Sequence, residues 1–238
     1  MDIIQSFYYS SNKDRQQELE LCLKKNLFSE FINNIHIFIT QKDYNTFLQS
    51  NFITNKNYKK LFFIIHDNQP SYSELFTYSS KLDDKICCIC NSDIEITIQN
   101  NNILLLDMLR NTKKIFFITR YESNGSSYLI DNFGGSHDAF IFHSNTLFKN
   151  LVNMSLNFID YIQNTSGIEA ILTIFFIEKL NYIVENPCFQ IKIIHHHESN
   201  IRQWQQINGN KIVGYTSPTP NNNNWGIHNK HMIYPKEY

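Results

Sequence analysis

Glycine and proline are scarce in this chain of 238 residues, which contains seven glycines and five prolines. Backbone amides bind phosphate groups in glycine-rich loops of fixed spacing, and the sequence contains no such loop. A P-loop and a dinucleotide-binding fingerprint are therefore excluded. Any phosphate group would have to be bound by side chains or through a metal ion.

The chain has no excess of charge of either sign, because 21 Lys and Arg residues against 22 Asp and Glu residues give a formal net charge of -1. The basic residues are scattered, whereas proteins that bind nucleic acids usually carry a basic face. We therefore do not expect nucleic acid as a partner.

Long apolar runs are also missing, since the longest, within residues 168–180, includes Glu169 and Glu178 and is too short to cross a bilayer. The opening residues lack the basic region and the cleavage site of a secretory signal. We expect a protein without a transmembrane segment, located in the cytoplasm. The abundance of Asn and Ile is typical of AT-rich genomes such as those of giant viruses, and a viral protein would lie in the host cytoplasm or the virion.

The five cysteines show neither a disulfide framework nor paired CxxC spacing. Three of them fall in Cys87-Cys88-Ile89-Cys90, which is typical of a buried strand in a reducing compartment. A zinc site that joins these cysteines to histidines elsewhere stays open as an alternative.

The first hundred residues alternate between β-rich runs and helical stretches. Strands are predicted at 3–9, 35–40, 60–65 and 86–90, and helices at 14–27, 43–48 and 72–80. This rhythm predicts a parallel sheet covered by helices. Ligands bind beyond the carboxyl ends of the strands in such sheets, so the loops 10–13, 66–70 and 91–95 are the first candidates for a site.

The second half predicts strands at 114–119, 139–142 and 189–194 and helices at 146–153 and 168–180. We interpret the chain as one α/β domain at 1–213 with a mixed central sheet. It would comprise a Rossmann-like nucleotide-binding half at 1–98 and a smaller acceptor half at 99–213. Residues 214–238 lose all periodicity and predict a loop or tail.

Asp93 directly follows the apolar strand 86–90, in the segment Asn91-Ser92-Asp93. Its carboxylate would project from the strand end into the cleft, where one or two carboxylates and substrate phosphates usually bind a hard divalent cation. Asp93 is therefore a candidate ligand for Mn²⁺ or Mg²⁺. The alternative is an ordinary turn, because Asn, Ser and Asp are common turn residues.

A histidine cluster, His195-His196-His197, follows the last predicted strand. His195 and His197 would point to the same side if the strand continues, which makes both of them candidate metal ligands. Arg202, a few residues later, could bind a diphosphate through two parallel hydrogen bonds. The alternative for this segment is a polar strand end without a ligand.

Two carboxylates are candidates for a general base. Glu169 lies at the start of the helix 168–180, where it would either form a capping box with Ser166 or deprotonate an acceptor hydroxyl. Asp138 begins the strand 139–142, and its alternative is a plain turn after two glycines.

The order of several segments carries a family resemblance. These segments are Arg15, Glu18, Cys22, Leu23 and Asn26; Pro70-Ser71-Tyr72; Asn91-Ser92-Asp93-Ile94; Thr119-Arg120-Tyr121-Glu122; Ser136 to Phe142; Asn186-Pro187-Cys188; and His195 to Arg202. Over roughly residues 3–204 the chain resembles small GT-A-type glycosyltransferases of bacteria and large DNA viruses, and is similar to the β-rhamnosyltransferase-like domain of chlorella viruses.

The resemblance implies a GT-A-like fold and an inverting, metal-dependent sugar transfer. The donor would be a nucleotide-diphosphate sugar, with a UDP-sugar favoured, and the acceptor a hydroxyl group of a glycan. In such a family the segment 91–93 corresponds to the metal-binding DxD motif, although Asn91 replaces its first Asp. Glu169 corresponds to the base, although Ala170 replaces the Asn that follows it in the family, and Asp138 is the reserve.

The residues predicted to bind the donor are Ser10, Ser11, Asn12, Arg15, Asp67, Tyr72, Asn91, Ser92, Asp93 and Arg202. The metal ligands predicted are Asp93, His195 and His197. Two other functions stay open. One is a catalytically silent GT-A-like module that binds a glycan or a protein, and the other is a metal-dependent hydrolase built on the histidines.

Overall fold

The computed structural model describes residues 1–50, 58–98, 102–123, 128–129, 137–163, 165 and 167–199. The described strands are β1 (Asp2–Ser6), β2 (Asn34–Ile39), β3 (Leu61–Ile65), β4 (Ile86–Cys90), β5 (Ile94–Ile98), β6 (Lys114–Glu122), β7 (Tyr128–Leu129), β8 (His137–His143), β9 (Ile183–Glu185) and β10 (Ile191–His195). The described α-helices are α1 (Lys13–Phe28), α2 (Gln41–Gln49), α3 (Tyr72–Ser80), α4 (Leu104–Asp107), α5 (Ser144–Leu151) and α6 (Ile168–Ile174).

All of the strands belong to one sheet, whose main path runs in the order β3-β2-β1-β4-β8-β6-β10-β5. The first four strands along this path are parallel to one another, as the βα rhythm predicts. Strand β8 then runs antiparallel to both β4 and β6, which makes the sheet mixed. The predicted α/β class with a mixed central sheet is confirmed.

Two hydrophobic clusters cover the two faces of the sheet. One contains the buried stripe of α1, including Leu19, Leu23 and Leu27. The other is rich in aromatic rings and contains Phe76 of α3 together with Ile171 and Leu172 of α6. Helices therefore cover both faces of the sheet, so a ligand would bind at the polar loops along its edge.

The loop after β4 is shorter than predicted. It ends at Asp93, and the next strand begins at Ile94, so Glu95 lies in β5 rather than in the predicted loop 91–95. The cause is the pairing of β5 with β10, which buries Ile94, Ile96 and Ile98 on one face. The short turn places Asp93 directly between the end of β4 and the start of β5.

The starts of α3 and α6 can be compared with the positions that the sequence predicts. Ser71 caps α3 and forms a capping box with Glu74, at the position where the sequence predicts the start of this helix. Gly167 precedes α6 with a φ of 81°, a left-handed conformation that glycine adopts without a clash of a Cβ atom. Ser166, the predicted cap of α6, lies outside the described residues, as does the predicted tail at 214–238. The predicted helix 168–180 changes to a π-helix at Phe175–Lys179.

Among the described residues, no helix combines the length and the apolar character that a membrane span requires.

The side chain of Asn26 links α1 to β5 through two hydrogen bonds. Its side-chain amide donates to the carbonyl of Ile94 at 2.8 Å and accepts from the backbone N–H of Ile96 at 2.9 Å. The side chain is buried, so both backbone groups depend on it rather than on water. This pair of bonds fixes the helix that carries Arg15 against the strand that follows Asp93.

We expect Asn26→Ala to lower the free energy of unfolding by about 2–4 kcal/mol, because two buried backbone groups would lose their partner. Urea denaturation followed by circular dichroism measures this change. Asn45→Ala is the matched control, since Asn45 is exposed on α2, and it should change the free energy of unfolding by less than about 0.5 kcal/mol. Equal effects of the two substitutions would contradict the anchoring role of Asn26.

Candidate functional site

The carboxylate of Asp93 is the centre of a buried polar cluster at the end of β4. Its Oδ2 atom lies 2.7 Å from a terminal nitrogen of Arg15, 3.2 Å from Nε2 of His195 and 3.4 Å from Nδ1 of His197. The aspartate is 6% exposed and His195 is also 6% exposed. Three segments that are distant in sequence therefore meet on one oxygen atom. This brings together Asp93, His195 and His197, whose role as metal ligands stays a prediction.

The histidines reach Asp93 because β10 pairs with β5 and places His195 opposite Ile94. The backbone continues this pairing for one more residue, since the N–H of His196 donates to the carbonyl of Asp93 at 2.9 Å. The rings of His195 and His197 are stacked with centroids 5.3 Å apart. The prediction that these two rings lie on one side of the chain is confirmed, although β10 itself ends at His195.

Arg15 approaches Asp93 from the first turn of α1 and is held by further partners. Its guanidinium lies 3.0 Å from Glu18 and donates to the hydroxyl of Tyr8 at 3.3 Å. Glu18 in turn accepts the backbone N–H groups of Glu198 and Ser199, both at 2.7 Å. The segment after β10 is therefore tied to α1 next to Asp93.

The charges in the cluster favour an ionised aspartate. Burial alone would raise the pKa of Asp93, but His195, His197 and Arg15 outweigh burial and hold this pKa well below its usual range. Burial likewise opposes the charge on His195, yet the carboxylates of Asp93 and Glu122 raise its pKa to about 9. Glu122 lies 2.9 Å from Nδ1 of His195.

The chemistry of this cluster fits a divalent metal ion. Single ligand atoms of Asp93, His195 and His197 all lie within 4.8 Å of one another. Two buried atoms of the cluster, Oδ1 of Asp93 and Nε2 of His197, have no hydrogen-bond partner within the described part of the chain. Buried polar atoms without a partner are uncommon and call for an explanation, such as an ion or a water molecule. One carboxylate and two imidazoles are a donor set that suits Mn²⁺, Zn²⁺ or related ions.

A second polar group lies next to this cluster, on β6 and β8. Asp138 receives hydrogen bonds from the side chains of Asn91, at 3.1 Å, and Arg120, at 2.9 Å. Arg120 also lies 2.7 Å from Glu122, which contacts His195. A chain of charged contacts therefore runs from Asp138, the reserve candidate for the base, to the histidines.

Glu169, the first candidate for the base, lies in the first turn of α6. Its surroundings oppose ionisation, because burial and the negative charge of Asp138 raise its pKa to about 8. A carboxyl group with such a pKa can exchange a proton near neutral pH, which is a property of many catalytic acids and bases.

A polar pocket opens beside Asp93 at the carboxyl ends of β1 and β4. Its lining residues are Ser6, Tyr8, Arg15, Gln69, Asn91, Ser92, Asp93 and Gln163. Four of the residues predicted to bind the donor are in this lining, namely Arg15, Asn91, Ser92 and Asp93. Ligands of α/β proteins commonly bind at this end of the sheet.

The predicted loop 10–13 lies at the start of α1. Asn12 caps this helix by accepting from the N–H of Arg15 at 2.8 Å, and the hydroxyl of Ser10 accepts from the N–H of Asn12 at 3.2 Å. Ser11 is exposed. These residues position Arg15, and their contact with a nucleotide stays a prediction.

The remaining donor-binding candidates are dispersed. Asp67 is exposed in the loop after β3. Tyr72 is buried in the aromatic cluster, with its ring edge-on to Phe140 at 5.7 Å. Arg202 lies outside the described residues. The cysteines 87, 88 and 90 are free and buried, as predicted for strand residues.

Some residues of the site carry no signal in the sequence on their own. Gln163 is one of them, and it donates to the carbonyl of Cys90 at 3.1 Å. His137 is buried, neither of its ring nitrogens has a hydrogen-bond partner among the described residues, and burial lowers its pKa to about 4. Of the missed residues, Glu18 and Glu122 had a signal, because both belong to segments that carry the family resemblance.

No family model matches the chain, and no curated protein matches it. Among the solved structures that are similar to it, three illustrate the low identity. HddC from Yersinia pseudotuberculosis has 9% identity and a TM-score of 0.40, over 62% of this chain and 79% of that chain. A 4-diphosphocytidyl-2C-methyl-D-erythritol synthase from Anaerococcus prevotii has 11% identity and a TM-score of 0.45, over 86% of this chain and 90% of that chain.

The third similar structure is described as a glucose-1-phosphate thymidylyltransferase from Bacillus anthracis in complex with sucrose. It has 8% identity and a TM-score of 0.49, over 78% of this chain and 85% of that chain. Likenesses of this extent carry no argument about activity. The resemblance to the viral glycosyltransferases stays a prediction, and function has to be argued from the site.

The raised pKa of Glu169 predicts a pH-dependent stability. The folded chain keeps a proton on Glu169 up to about pH 8, whereas the unfolded chain releases it near the ordinary value of 4.5. The contribution of this group to stability therefore falls as the pH rises from 4.5 to 8. We expect Glu169→Gln to become progressively more stable than the unmodified chain over this window.

Urea denaturation at pH 5, 6.5 and 8 tests this expectation. Glu30→Gln, at an exposed glutamate after α1, is the control and should leave the pH dependence of the unmodified chain in place. The same pH dependence in Glu169→Gln and in the unmodified chain would show that Glu169 ionises freely in the folded state.

Proposed function

We propose that this chain is a glycosyltransferase that uses a nucleotide-diphosphate sugar and a divalent metal ion, and that transfers the sugar to a hydroxyl group, most simply on a glycan. The observation that carries the proposal is the convergence of Arg15, His195 and His197 on the buried carboxylate of Asp93. This convergence lies beside a polar pocket at the carboxyl ends of parallel strands, where α/β proteins commonly bind nucleotides.

The residues of the cluster suit the diphosphate end of such a donor. Asp93, His195 and His197 would hold Mn²⁺ or Mg²⁺, and the ion would neutralise the charge that develops on the leaving nucleotide. Arg15 adds a guanidinium group at the pocket wall, where it can donate two parallel hydrogen bonds to phosphate oxygens. The chain has no glycine-rich loop, so phosphate binding by these side chains replaces binding by backbone amides.

The acceptor end would use a carboxylate as the general base. Glu169 is the first candidate, because a pKa near 8 makes it a stronger base than an ordinary carboxylate while it still ionises near neutral pH. Asp138 is the second candidate, but it already accepts hydrogen bonds from Asn91 and Arg120. Both of its carboxylate oxygens are therefore already occupied by donors, Oδ1 by Asn91 and Oδ2 by Arg120. An inverting transfer follows from the family resemblance and belongs to this proposal.

The first test is a thermal-shift screen of UDP, GDP, dTDP and CMP, each with Mn²⁺ and with EDTA. A ligand that binds only the folded chain raises its apparent stability, so a metal-dependent shift would identify the nucleotide, and we expect it with UDP. Asp93→Asn should abolish the metal-dependent shift. Asp83→Asn should retain it, because Asp83 is exposed before the opposite end of β4.

Asp93→Asn also removes the partner of Arg15, so its melting temperature without ligand has to be recorded and the assay run well below it. A metal-dependent shift of unchanged size in Asp93→Asn would overturn the assignment of the metal site.

The second test separates the two candidate bases. With the nucleotide identified by the screen and an acceptor found by assaying transfer from sugars of that nucleotide, we expect Glu169→Gln to lower kcat by about 10²–10⁴, since general base catalysis contributes that much, and to leave nucleotide binding unchanged. Asp138→Asn should lower kcat less than Glu169→Gln does. The opposite order would assign the base to Asp138.

One observation favours a second candidate function, a silent binding module. Asn91 replaces the first Asp of the DxD motif and uses its side-chain amide on Asp138 instead of facing a metal ion. A module of this kind would bind a glycan or a protein without nucleotide or metal. The absence of a shift with every nucleotide in the screen would favour it over the transferase.

A further inference from the structure

Arg15 occupies the space between two of the candidate metal ligands. One terminal nitrogen of its guanidinium lies 2.7 Å from Oδ2 of Asp93, and the other lies 2.9 Å from Nδ1 of His197. The side chain is buried, with 6% of its surface exposed. The positive charge that a metal ion would bring to Asp93 is therefore already present in the chain.

The guanidinium and a metal ion cannot both bind Oδ2 of Asp93 and Nδ1 of His197. These two atoms and Nε2 of His195 face one another in the cluster, with the two imidazole nitrogens 3.4 and 3.2 Å from Oδ2. A cation that bonds these atoms would lie about 2–2.2 Å from each of them, in the space that the guanidinium nitrogens occupy. Two positive charges within about 4 Å in a site shielded from water also repel each other strongly.

We propose that Arg15 is an exchangeable internal cation that holds the metal site closed, and that metal binding requires its guanidinium to leave Asp93. This inference rests on the proposed function, since it assumes that Asp93, His195 and His197 form the metal site. The new element is that Arg15 competes with the ion for Asp93.

The surroundings of Arg15 give the displaced group a place to remain. Its bonds to Glu18, at 3.0 Å, and to Tyr8, at 3.3 Å, do not involve Asp93. The guanidinium therefore keeps a carboxylate partner when it leaves Asp93. Arg15 and Asn91 line the same pocket, so the freed nitrogen would face the space where the proposed diphosphate binds.

This geometry predicts that metal and nucleotide bind cooperatively. The ion releases one arm of Arg15 from Asp93, and the released arm becomes a donor for phosphate oxygens. By reciprocity, a bound diphosphate that holds Arg15 away from Asp93 would favour metal binding by the same factor.

Titration calorimetry with Mn²⁺ alone tests the exchange in the full chain. We expect Arg15→Met to bind Mn²⁺ at least about tenfold more tightly than the unmodified chain, because the competing charge is gone. Lys25→Met is the matched control. It removes one positive charge from the same helix, but Lys25 lies 2.7 Å from Glu95 and does not contact Asp93, so the affinity should change less than about twofold.

Three other outcomes are informative. If the unmodified chain and Arg15→Met bind Mn²⁺ equally, Arg15 does not compete, and the exchange is wrong while the metal site stands. If Lys25→Met tightens binding as much as Arg15→Met does, the effect is a general change of charge, and the exchange is also wrong. If neither chain binds Mn²⁺, or if Asp93→Asn binds it as well as the unmodified chain does, the metal site itself fails, and both proposals fall together.

A second measurement needs no substitution at Arg15 in the chain under test. Nitrogen-15 labelling of the four arginines reports the guanidinium groups by NMR. The slowly exchanging signals of the buried Arg15, assigned through nuclear Overhauser contacts to the neighbouring ring of Tyr8, should shift and lose protection when the diamagnetic ion Zn²⁺ is added. Unchanged Arg15 signals at saturating Zn²⁺ would overturn the exchange even if Arg15→Met did not fold.

Discussion

A buried negative charge on Asp93 organises the polar end of this fold. An ionised carboxylate that is removed from water is costly unless other groups supply charge and hydrogen bonds. Here the partners come from α1, through Arg15, and from the end of β10, through His195 and His197. The position of α1 over the sheet brings Arg15 to Asp93. The pairing of β5 with β10 brings the two histidines to the same carboxylate. Removing any one of these side chains leaves the buried carboxylate with fewer partners.

At this edge of the sheet, the surroundings shift the pKa values of different carboxyl groups in opposite directions. Asp93 and Glu122 lie among cationic groups, and their pKa values are lowered, to about 2 for Glu122. Glu169 lies among protein atoms near the negative Asp138, and its pKa is raised to about 8. Carboxylates whose environments separate their pKa values in this way can take different chemical roles, one as a permanent charge and another as a proton acceptor.

The sequence was informative where its patterns are local. The βα rhythm predicted the parallel half, and the apolar run before Asp93 placed this residue at a strand end. The spacing of His195 and His197 was also sufficient to predict that their rings lie on the same side of the chain. The sequence did not reveal β5, because its alternating pattern is only five residues long and follows a segment rich in turn residues. Glu18 could not be assigned, since its role comes from contacts with residues about 180 positions away.

The position of β5 has a consequence for how the chain is made. Strand β5 follows β4 after three residues, but the strand described beside it is β10, which begins at Ile191. A ribosome adds about 5–20 residues per second, so several seconds pass between the synthesis of β5 and that of β10. During this time β5, which has three isoleucines on one face, lacks the strand that pairs with it. The nascent chain therefore exposes an incomplete sheet edge during this interval. Its polar cluster cannot assemble until β10 and the histidines at its end have been translated.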